Sequence, residues 1–398
     1  MIKITERDIY FDGISREHLF KITKSPVFLF FKKRIQTNCE NFKKIVESCF
    51  PDSSIFYSVK TNSVPEILNT INHCGYGAQI ISAKELNAAL AAGFPEDAII
   101  FDGIFHDDDS IKLLKSSKHI LMNESWISNL KKIQNSCEEW QKNVNVGLRF
   151  AFQSENKWLG FSSDDDEQIE LLAKLMQKSQ YLNLKMISSH AGSQIMNSRV
   201  FIDNCKNLLS AYDKLENKGL INKNIQFNLG GGFPEPEIAT NEKLDEIFLG
   251  IKDIIQSNHS ISRFSICFEP GRYIVADAGI LISKINQLFK DKKNNKWALL
   301  DIGMDVISRF ANSHYRFFSL EHAREPHGTP ISFQGRVPTE QDVLGKGIHF
   351  AKNVKINEHV LVLNCGAYSY TFSRRFNFKL PKYFFIEGEK FSLGEFDG

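Results

Sequence analysis

The sequence predicts an α/β fold in which a (β/α)8 barrel is joined to a smaller β-rich domain. Two observations support this prediction. Eight short apolar runs alternate with longer helix-like stretches, and beyond about Ala278 the chain changes to short β-rich runs punctuated by glycine and proline. Eight strand–helix units favour a closed barrel over an open doubly wound sheet.

The apolar runs give the barrel elements in chain order. The predicted strands are Ile55–Val59, Ala78–Ile81, Ile99–Asp102, His119–Met122, Val144–Phe150, Lys185–His190, Ile225–Leu229 and Ser265–Glu269. Predicted helices between them include Ala83–Ala92, Asp108–Lys115, Asp164–Lys178, Val200–Lys218 and Lys243–Ser257. Three aspartates open the third of these, where acidic side chains suit the positive end of the helix dipole. Gly219 is a typical helix stop.

The length of 398 residues favours two domains. We expect the barrel to span residues 27–278, and the β-rich domain to combine residues 1–26 with 279–398. The run Val27–Phe31 closes the first residues, and we expect it to join the β-rich domain. The β runs after the barrel are Gly279–Ile285, Trp297–Asp301, His359–Leu363 and Tyr383–Ile386.

Composition and charge exclude several classes of protein. Hydrophobic residues make up 42% of the chain and charged residues 24%, and the net charge is +2, so nothing favours nucleic acid or an anionic membrane as a partner. No apolar run approaches the roughly 20 residues that span a bilayer, and residues 1–8 lack an apolar targeting core, so we expect a cytoplasmic protein. The seven cysteines are scattered without a CxxC pair, which argues against disulfides and a metal site.

Residues capable of chemistry gather at the predicted strand ends, where barrels carry their active sites. Lys60, Arg149, His190 and Glu269 each lie at or just past such an end. A lysine amine that is shielded from water loses its proton more easily and becomes a nucleophile. Taken singly, Lys60 fits a solvated strand end and His190 a core residue. Their coincidence at one edge of the barrel favours a site.

Glycine-rich segments at two neighbouring strand ends predict a phosphate site. Gly230, Gly231 and Gly232 directly follow a strand, where backbone N–H groups can approach a phosphate without side-chain obstruction. One strand later, Glu269-Pro270-Gly271-Arg272 supplies a carboxylate, a bare backbone position and a guanidinium. A tight turn and a surface ion pair are the alternatives. Likewise, Ser193 could be a helix cap and Tyr368 a packing residue.

Five motifs together resemble the alanine-racemase-like (type III) pyridoxal-phosphate (PLP) decarboxylases, which include ornithine, arginine and diaminopimelate decarboxylases. In order they are Tyr57-Ser58-Val59-Lys60-Thr61-Asn62, His190-Ala191-Gly192-Ser193, Gly230-Gly231-Gly232-Phe233-Pro234, Glu269-Pro270-Gly271-Arg272 and Gly366-Ala367-Tyr368. The resemblance runs from about residue 25 to about residue 380. It implies a PLP barrel, a β domain and a head-to-tail homodimer with two sites at the interface.

The resemblance also implies roles for individual residues. Lys60 would bind PLP covalently, His190 would stack on its ring and Arg149 would lie near the ring. The phosphate would be held by Ser193, the Gly230–Gly232 run, Gly271, Arg272 and Tyr368. Glu269 would bond the pyridine nitrogen, where a negative charge keeps that nitrogen protonated and the ring a good electron acceptor. Decarboxylation is therefore favoured over the racemisation that an arginine at this place accompanies.

The chain departs from the family pattern where relatives carry a Gly-Pro-x-Cys segment followed by an acid. Here the segment is Gly335-Arg336-Val337-Pro338-Thr339-Glu340-Gln341-Asp342. Pro338 stands in place of the cysteine thought to protonate the substrate carbon, so His314, Tyr315 or a water must be considered as donors. Thr339 stands in place of the acid that contacts the substrate's distal amine. Gln79 likewise stands where relatives carry an aspartate.

The loss of this acid suggests a substrate with an anionic distal end. Basic residues collect in segments that the resemblance implies to face the site, together with Thr339: Arg309, His314, Arg316, Arg336, Arg374 and Arg375. Guanidinium groups bind carboxylates well, although each of these cations fits a solvated surface. Our first hypothesis is a citrylated diamino acid such as N-citryl-ornithine, from carboxylate siderophore biosynthesis. Diaminopimelate, ornithine and lysine are the alternatives.

Two further hypotheses keep the fold but not the chemistry. The chain could be a regulatory homologue that captures partners without catalysis, because the cysteine position is Pro338. It could also be a small PLP-homeostasis barrel, but such a protein has no second domain. The complete set of cofactor motifs favours an enzyme.

Overall fold

The computed structural model describes residues 2–5, 9–22, 24–152, 159–221, 225–307, 313–374, 376 and 378–394. The chain divides into two compact units. The barrel unit comprises Cys39–Gly271, and the β unit comprises Met1–Asn38 with Arg272–Gly398.

The β unit begins with a small sheet. Strands β1 (Ile2–Ile4), β2 (Ile9–Phe11) and β3 (Ile14–Ser15) pair antiparallel in that order. Helix α1 (Arg16–Ile22) and strand β4 (Val27–Phe31) follow. Every side chain of β4 is buried, which suits a strand in the middle of a sheet.

The barrel unit contains eight parallel strands that close on themselves. They are β5 (Ser54–Ser58), β6 (Gly77–Ile80), β7 (Ile99–Phe101), β8 (Leu121–Glu124), β9 (Val144–Phe150), β10 (Leu182–Ser189), β11 (Ile225–Asn228) and β12 (Phe264–Phe268). Neighbours in sequence are neighbours in space, and β12 pairs with β5 to close the ring. This confirms the predicted (β/α)8 barrel.

Helices connect the barrel strands and account for the right-handed crossovers that parallel strands require. They are α2 (Lys32–Cys49), in which the division between the units falls, α3 (Pro65–His73), α4 (Ala83–Ala91), α5 (Asp108–Ser116), α6 (Ile127–Trp140), α7 (Asp166–Lys178), α8 (Ser198–Asn217) and α9 (Asn241–Asn258). Asp165 caps α7 by accepting the Gln168 N–H, in the acidic segment that predicted a helix start. Inside the barrel, Phe56, Ile100, Leu121, Met186 and Cys267 form a buried core.

The β unit resumes after the barrel with α10 (Arg272–Val275) and eight strands. They are β13 (Gly279–Lys290), β14 (Lys296–Leu300), β15 (Arg316–Ser319), β16 (Thr329–Gln334), β17 (Val343–Phe350), β18 (His359–Leu363), β19 (Lys382–Glu387) and β20 (Lys390–Gly394). The main sheet has the order β17-β16-β14-β13-β4-β19-β20, and β18 pairs with β13 and β15. Its core includes Phe11, Leu29, Ile282 and Leu361.

The apolar run Val27–Phe31 belongs to the β unit. The sequence predicted that this run closes the first residues and joins the β domain, although the domain boundary was set at residue 27, and β4 lies between β13 and β19. An apolar run of five residues has no periodicity that distinguishes a barrel strand from a central strand of another sheet. Its partners are far away in sequence, so only the fold identifies them.

Two further features of the described residues concern membrane spans and cysteines. No helix in the described part of the chain is long and apolar enough to cross a membrane. All seven cysteines are free, and all but Cys74 are buried.

Candidate active site

Lys60 lies in a short turn, Val59–Thr61, that directly follows β5 at the carboxyl edge of the barrel. Its side chain is half-buried. Two acids are close enough for the Lys60 charge to act on them. Burial raises the pKa of Glu85 to about 6 and that of Glu269 to about 7, and in both cases the Lys60 ammonium opposes the rise. The amine is therefore placed in a partly desolvated setting with acids of elevated pKa.

Glu269 immediately follows β12 and is 8% exposed. Asn228 Nδ2 donates to Glu269 Oε1 at 2.7 Å, and the Glu269 N–H donates to the Gly230 carbonyl at 2.9 Å. Burial is the largest cause of its raised pKa, followed by the negative charge of Asp102. Asn228, Arg149 and Lys60 act in the opposite direction. A cationic N–H beside this carboxyl would stabilise its ionised form.

The glycine run after β11 allows neighbouring groups to approach its backbone closely. Gly230 and Gly232 have φ angles of +70° and +97°, which side chains other than glycine rarely adopt. A Cβ at Gly231 would lie 2.3 Å from the Glu269 carbonyl oxygen. The Gly231 N–H donates to His190 Nδ1 at 3.1 Å, so the neutral imidazole carries its proton on Nε2.

Two neighbouring loops are locked to this run. The Ile195 N–H donates to the Gly232 carbonyl at 3.0 Å, which ties the loop carrying Ser193 to the glycine run. At the other side, a Cβ on Gly271 would lie 2.2 Å from Thr61 Oγ1. Only glycine permits this approach to the Lys60 turn.

A chain of polar side chains crosses the carboxyl ends of six adjacent strands. We call it the mouth network, and its members are Ser58, Gln79, Asp102, Asn123, Arg149 and Ser188. Arg149 Nη1 donates to Asp102 Oδ2 at 2.7 Å, and Asn123 Nδ2 donates to Asp102 Oδ1 at 2.7 Å and to Ser188 Oγ at 2.8 Å. Buried polar groups of this kind are costly unless each finds a partner. The network therefore fixes the side chains that face the barrel mouth.

In the β unit, Arg272 and Tyr368 contact each other. The Arg272 guanidinium carbon lies 4.9 Å from the centre of the Tyr368 ring, and Arg272 Nη1 donates to Ser313 Oγ at 3.3 Å. Tyr368 has a φ angle of +54°. Tyr315 Oη and Ser369 Oγ are 3.1 Å apart, and burial raises the pKa of Tyr315 to about 12. Two predicted phosphate ligands therefore belong to one cluster.

The predicted substrate-binding residues that the structure describes differ in burial and in their partners. His314, Arg316 and Arg374 are exposed, and Arg309 and Arg375 lie outside the described residues. Arg336 is engaged within the β unit: Nη2 lies 2.5 Å from Asp305 Oδ2, and Nη1 donates to the Asp301 carbonyl at 3.1 Å. These contacts give Arg336 a structural partner that its position in sequence did not indicate.

The Gly335–Asp342 segment is a tight turn organised by Asp342. Its carboxylate accepts the Met304 N–H at 2.7 Å and the Val337 N–H at 2.8 Å. A Cβ at Gly335 would lie 2.2 Å from Asp342 Oδ2, so glycine is required there. Pro338 is exposed and Thr339 is half-buried.

Sequence reasoning missed three side chains that shape the barrel mouth: Asp102, Asn123 and Asn228. Each is a polar residue at the carboxyl end of an apolar strand, and Asp102 ended one of the predicted strands. That position is the indication that could have identified them.

These features define a class of protein: a barrel with a half-buried amine, a glycine cradle and a buried acid at its carboxyl edge. A family model described as "Pyridoxal-dependent decarboxylase, pyridoxal binding domain" matches residues 32–276. The chain belongs to this family of PLP-dependent decarboxylases, and it is a PLP-dependent amino-acid carboxy-lyase.

Individual relatives agree over nearly the whole chain. The diaminopimelate decarboxylase of Bacteroides thetaiotaomicron is 28% identical over 386 residues, covering 93% of this chain and 97% of that protein. The crystal structure of diaminopimelate decarboxylase from Methanocaldococcus jannaschii superposes with a TM-score of 0.88 at 19% identity, covering 98% and 94% of the two chains. Lysine decarboxylase from Selenomonas ruminantium gives a TM-score of 0.78 at 22% identity, covering 97% of each.

The residues at the barrel mouth fit PLP. Arg149 Nε is buried and finds no hydrogen-bond partner among the described residues, which leaves one donor available to a ligand. The glycine cradle leaves room that any Cβ would fill. Glu269, with a pKa of about 7, suits a protonated ring nitrogen. In the described part of the chain no group of His, Cys, Asp and Glu could hold a metal ion.

Proposed function

We propose that this enzyme removes the α-carboxylate of an amino acid whose distal end carries a carboxylate, and that diaminopimelate is the first substrate to test. The proposal is supported mainly by the relatives, several of which are diaminopimelate decarboxylases. They are 23% to 28% identical to this chain and cover at least 89% of it. They support diaminopimelate more strongly than the citrylated diamino acid that the basic residues first suggested.

The proposed cofactor roles follow the geometry of the barrel mouth. Lys60 supplies the amine that binds PLP covalently, and His190, fixed by the Gly231 N–H, supports the ring. Ser193, the Gly230–Gly232 run and Gly271 offer backbone and hydroxyl donors to the phosphate, a role that the family resemblance extends to Arg272 and Tyr368. When bound, PLP supplies an acceptor for the electron pair that remains on the substrate carbon when CO2 leaves.

Glu269 is proposed to hold the pyridine nitrogen in its protonated form. Its buried position raises the cost of an unpaired negative charge, so its ionised form gains most when a cationic N–H lies beside it. Asn228, which donates to Glu269 Oε1, orients the carboxyl for that contact. We propose that Glu269 and Asn228 together favour decarboxylation over racemisation in this way.

The reaction needs a proton to take the place of the departing carboxylate. The bond between the substrate carbon and its carboxylate breaks, CO2 leaves, and the carbon accepts one proton. Pro338 has no proton to give. Tyr315 keeps its hydroxyl proton at neutral pH, since its pKa is about 12, and is our first candidate, ahead of His314 and water.

The predicted substrate-binding cations that the structure describes differ in how accessible they are. Arg336 already pairs with Asp305, a residue that is 4% exposed, so it contributes little free positive charge. His314 and Arg374 are exposed, which leaves their side chains accessible to a substrate carboxylate.

We also propose the head-to-tail homodimer that the family resemblance implies. Light scattering coupled to size-exclusion chromatography should give twice the chain mass of 45.5 kDa. A mass of one chain at assay concentration would contradict the dimer without affecting the cofactor assignment.

A substrate panel tests the proposed function. Purified enzyme with PLP is given meso-diaminopimelate, lysine, ornithine and N-citryl-ornithine, and CO2 release is measured. We expect diaminopimelate to give the highest kcat/KM. Faster turnover of ornithine or lysine would contradict the anionic distal end, and faster turnover of N-citryl-ornithine would restore the first hypothesis. A protein that binds no PLP and releases no CO2 would support the regulatory homologue.

A further inference from the structure

Asp102 occupies a position in the mouth network that the sequence did not single out. It follows β7 by one residue, and its N–H donates to the Ile80 carbonyl at 2.8 Å, which extends the strand pairing by one step. The residue is 7% exposed. A carboxylate this far from water needs partners for its charge.

Asp102 receives hydrogen bonds on both carboxylate oxygens. Oδ1 accepts from Asn123 at 2.7 Å, while Oδ2 accepts from Arg149 Nη1 at 2.7 Å and from Gln79 Nε2 at 3.3 Å. Since all of these groups donate, the set matches an ionised carboxylate, which can only accept. The pair with Arg149 is also well shielded, with side-chain exposures of 12% for Arg149 and 6% for Asp102.

Gln79 and Asp102 lie on adjacent strands and contact each other directly. Ser58 Oγ donates to Gln79 Oε1 at 2.7 Å, which turns the Gln79 amide nitrogen towards Asp102. Gln79 stands where the family resemblance places an aspartate. The negative charge missing from β6 is thus present one strand away, within the same set of hydrogen bonds.

We propose that Asp102 is a positioning residue for the cofactor: from the end of β7 it supplies the buried negative charge that Gln79 does not, and it holds the Arg149 guanidinium at the barrel mouth. Arg149 in turn keeps one donor, Nε, without a partner among the described residues. The inference rests on the proposed contact between Arg149 and PLP.

The charges of the side chains at the barrel mouth support the positioning role of Asp102. Lys60 and Arg149 are the cations that act on Glu269, and Asp102 is the anion that acts on it. If residue 102 were neutral, the Arg149 charge would be buried without an anion beside it, which is strongly unfavourable. The guanidinium would then lose the ion pair that fixes its present orientation.

A charge-swap experiment tests the proposal on the full-length protein. The variants are Asp102→Asn and the swap Gln79→Asp/Asp102→Asn, which returns the carboxylate to β6. The matched control is Asp97→Asn, an exposed acid in the turn before β7. PLP affinity is measured by titrating PLP-free protein, and the melting temperature reports folding.

We expect Asp102→Asn to bind PLP at least about tenfold more weakly, since coupling within such networks changes equilibria by this order. The swap should recover to within about threefold of wild type, and Asp97→Asn should match wild type. The negative charge of Asp102 raises the pKa of Glu269. The acid limb of the plot of kcat against pH should therefore move to lower pH in Asp102→Asn. In the swap variant it should lie again at the wild-type pH.

Other outcomes overturn the proposal. Wild-type PLP affinity in Asp102→Asn would show that the carboxylate does not position the cofactor. A folded swap variant that stays weak in PLP binding, or a swap variant that does not fold, would show that the two positions are not interchangeable. If Asp102→Asn fails to fold but the swap variant folds, the PLP affinity of the swap variant tests the proposal. Wild-type protein that binds no PLP would instead be a failure of the proposed function.

Discussion

The two units differ in how closely they follow the family they resemble. In the barrel unit, the motifs around Lys60, His190 and the glycine run are present, hydrogen bonds join the mouth network from Ser58 to Ser188, and Asn228 donates separately to Glu269. In the β unit, the Arg272–Tyr368 cluster is present but the Gly335–Asp342 turn has lost the cysteine and the acid. The cofactor motifs of the family are thus retained, while the segment that the resemblance places at the substrate departs from the family pattern. We therefore expect substitutions in the two units to affect cofactor binding and substrate choice separately.

The largest effect should come from Lys60. Lys60→Ala should lower kcat/KM by roughly 10³-fold or more, since it removes the nucleophilic amine. The visible absorbance of bound PLP should be lost as well, because that band requires the covalent bond. Lys131→Ala, an exposed lysine on α6, is the control and should keep both. An active, yellow Lys60→Ala enzyme would place the covalent bond elsewhere.

The next effect should come from Glu269. Glu269→Gln should reduce kcat by roughly 10² to 10³, because a neutral amide no longer favours a protonated ring nitrogen. PLP affinity should fall less than kcat. Unchanged turnover in this variant would contradict the role of Glu269.

The pH dependence of stability gives an independent test of Glu269. Its pKa in the folded protein is about 7 against an ordinary value of 4.5, so the folded state holds a proton that the unfolded state releases between these values. The free energy of unfolding of PLP-free protein should therefore contain a contribution that falls as pH rises from 4.5 to 7. Glu269→Gln removes this contribution. Urea unfolding at several pH values should show a flatter profile for the variant.

The fold was predictable because local patterns carry it. Alternation of apolar strands with helices identified all eight barrel strands, and strand ends identified Lys60, His190 and Glu269 as site candidates. The sequence placed Val27–Phe31 with the β domain but could not give its neighbours, because its pairing with β13 and β19 is long-range. The Arg336–Asp305 pair and the mouth network were missed for the same reason. Residue types indicate that a side chain can form an ion pair, but only the fold indicates its partner.

Substitutions in the Arg336–Asp305 pair test whether Arg336 stabilises the β unit or binds the substrate. Arg336→Gln should lower the free energy of unfolding by about 3 kcal/mol, because it leaves the buried Asp305 carboxylate without its cation. The double variant Arg336→Gln/Asp305→Asn should recover part of that loss. Chemical denaturation measures both. If Arg336→Gln were fully stable but raised KM for diaminopimelate, Arg336 would be a substrate ligand.

The smallest effect, and the most informative about substrate choice, should come from Thr339→Glu. It restores an acid at the place where the family resemblance puts the contact with a distal amine. We expect kcat/KM for lysine to rise by about tenfold relative to that for N-citryl-ornithine, since a charge-assisted hydrogen bond contributes about 1.5 kcal/mol or more. Glu340→Gln is a control at the exposed neighbouring position. The barrel unit is unchanged in both variants, so PLP affinity should stay at the wild-type value. A parallel fall in PLP affinity and in all substrates would show that the turn shapes the cofactor site as well, and the separation between the two units' roles would not hold.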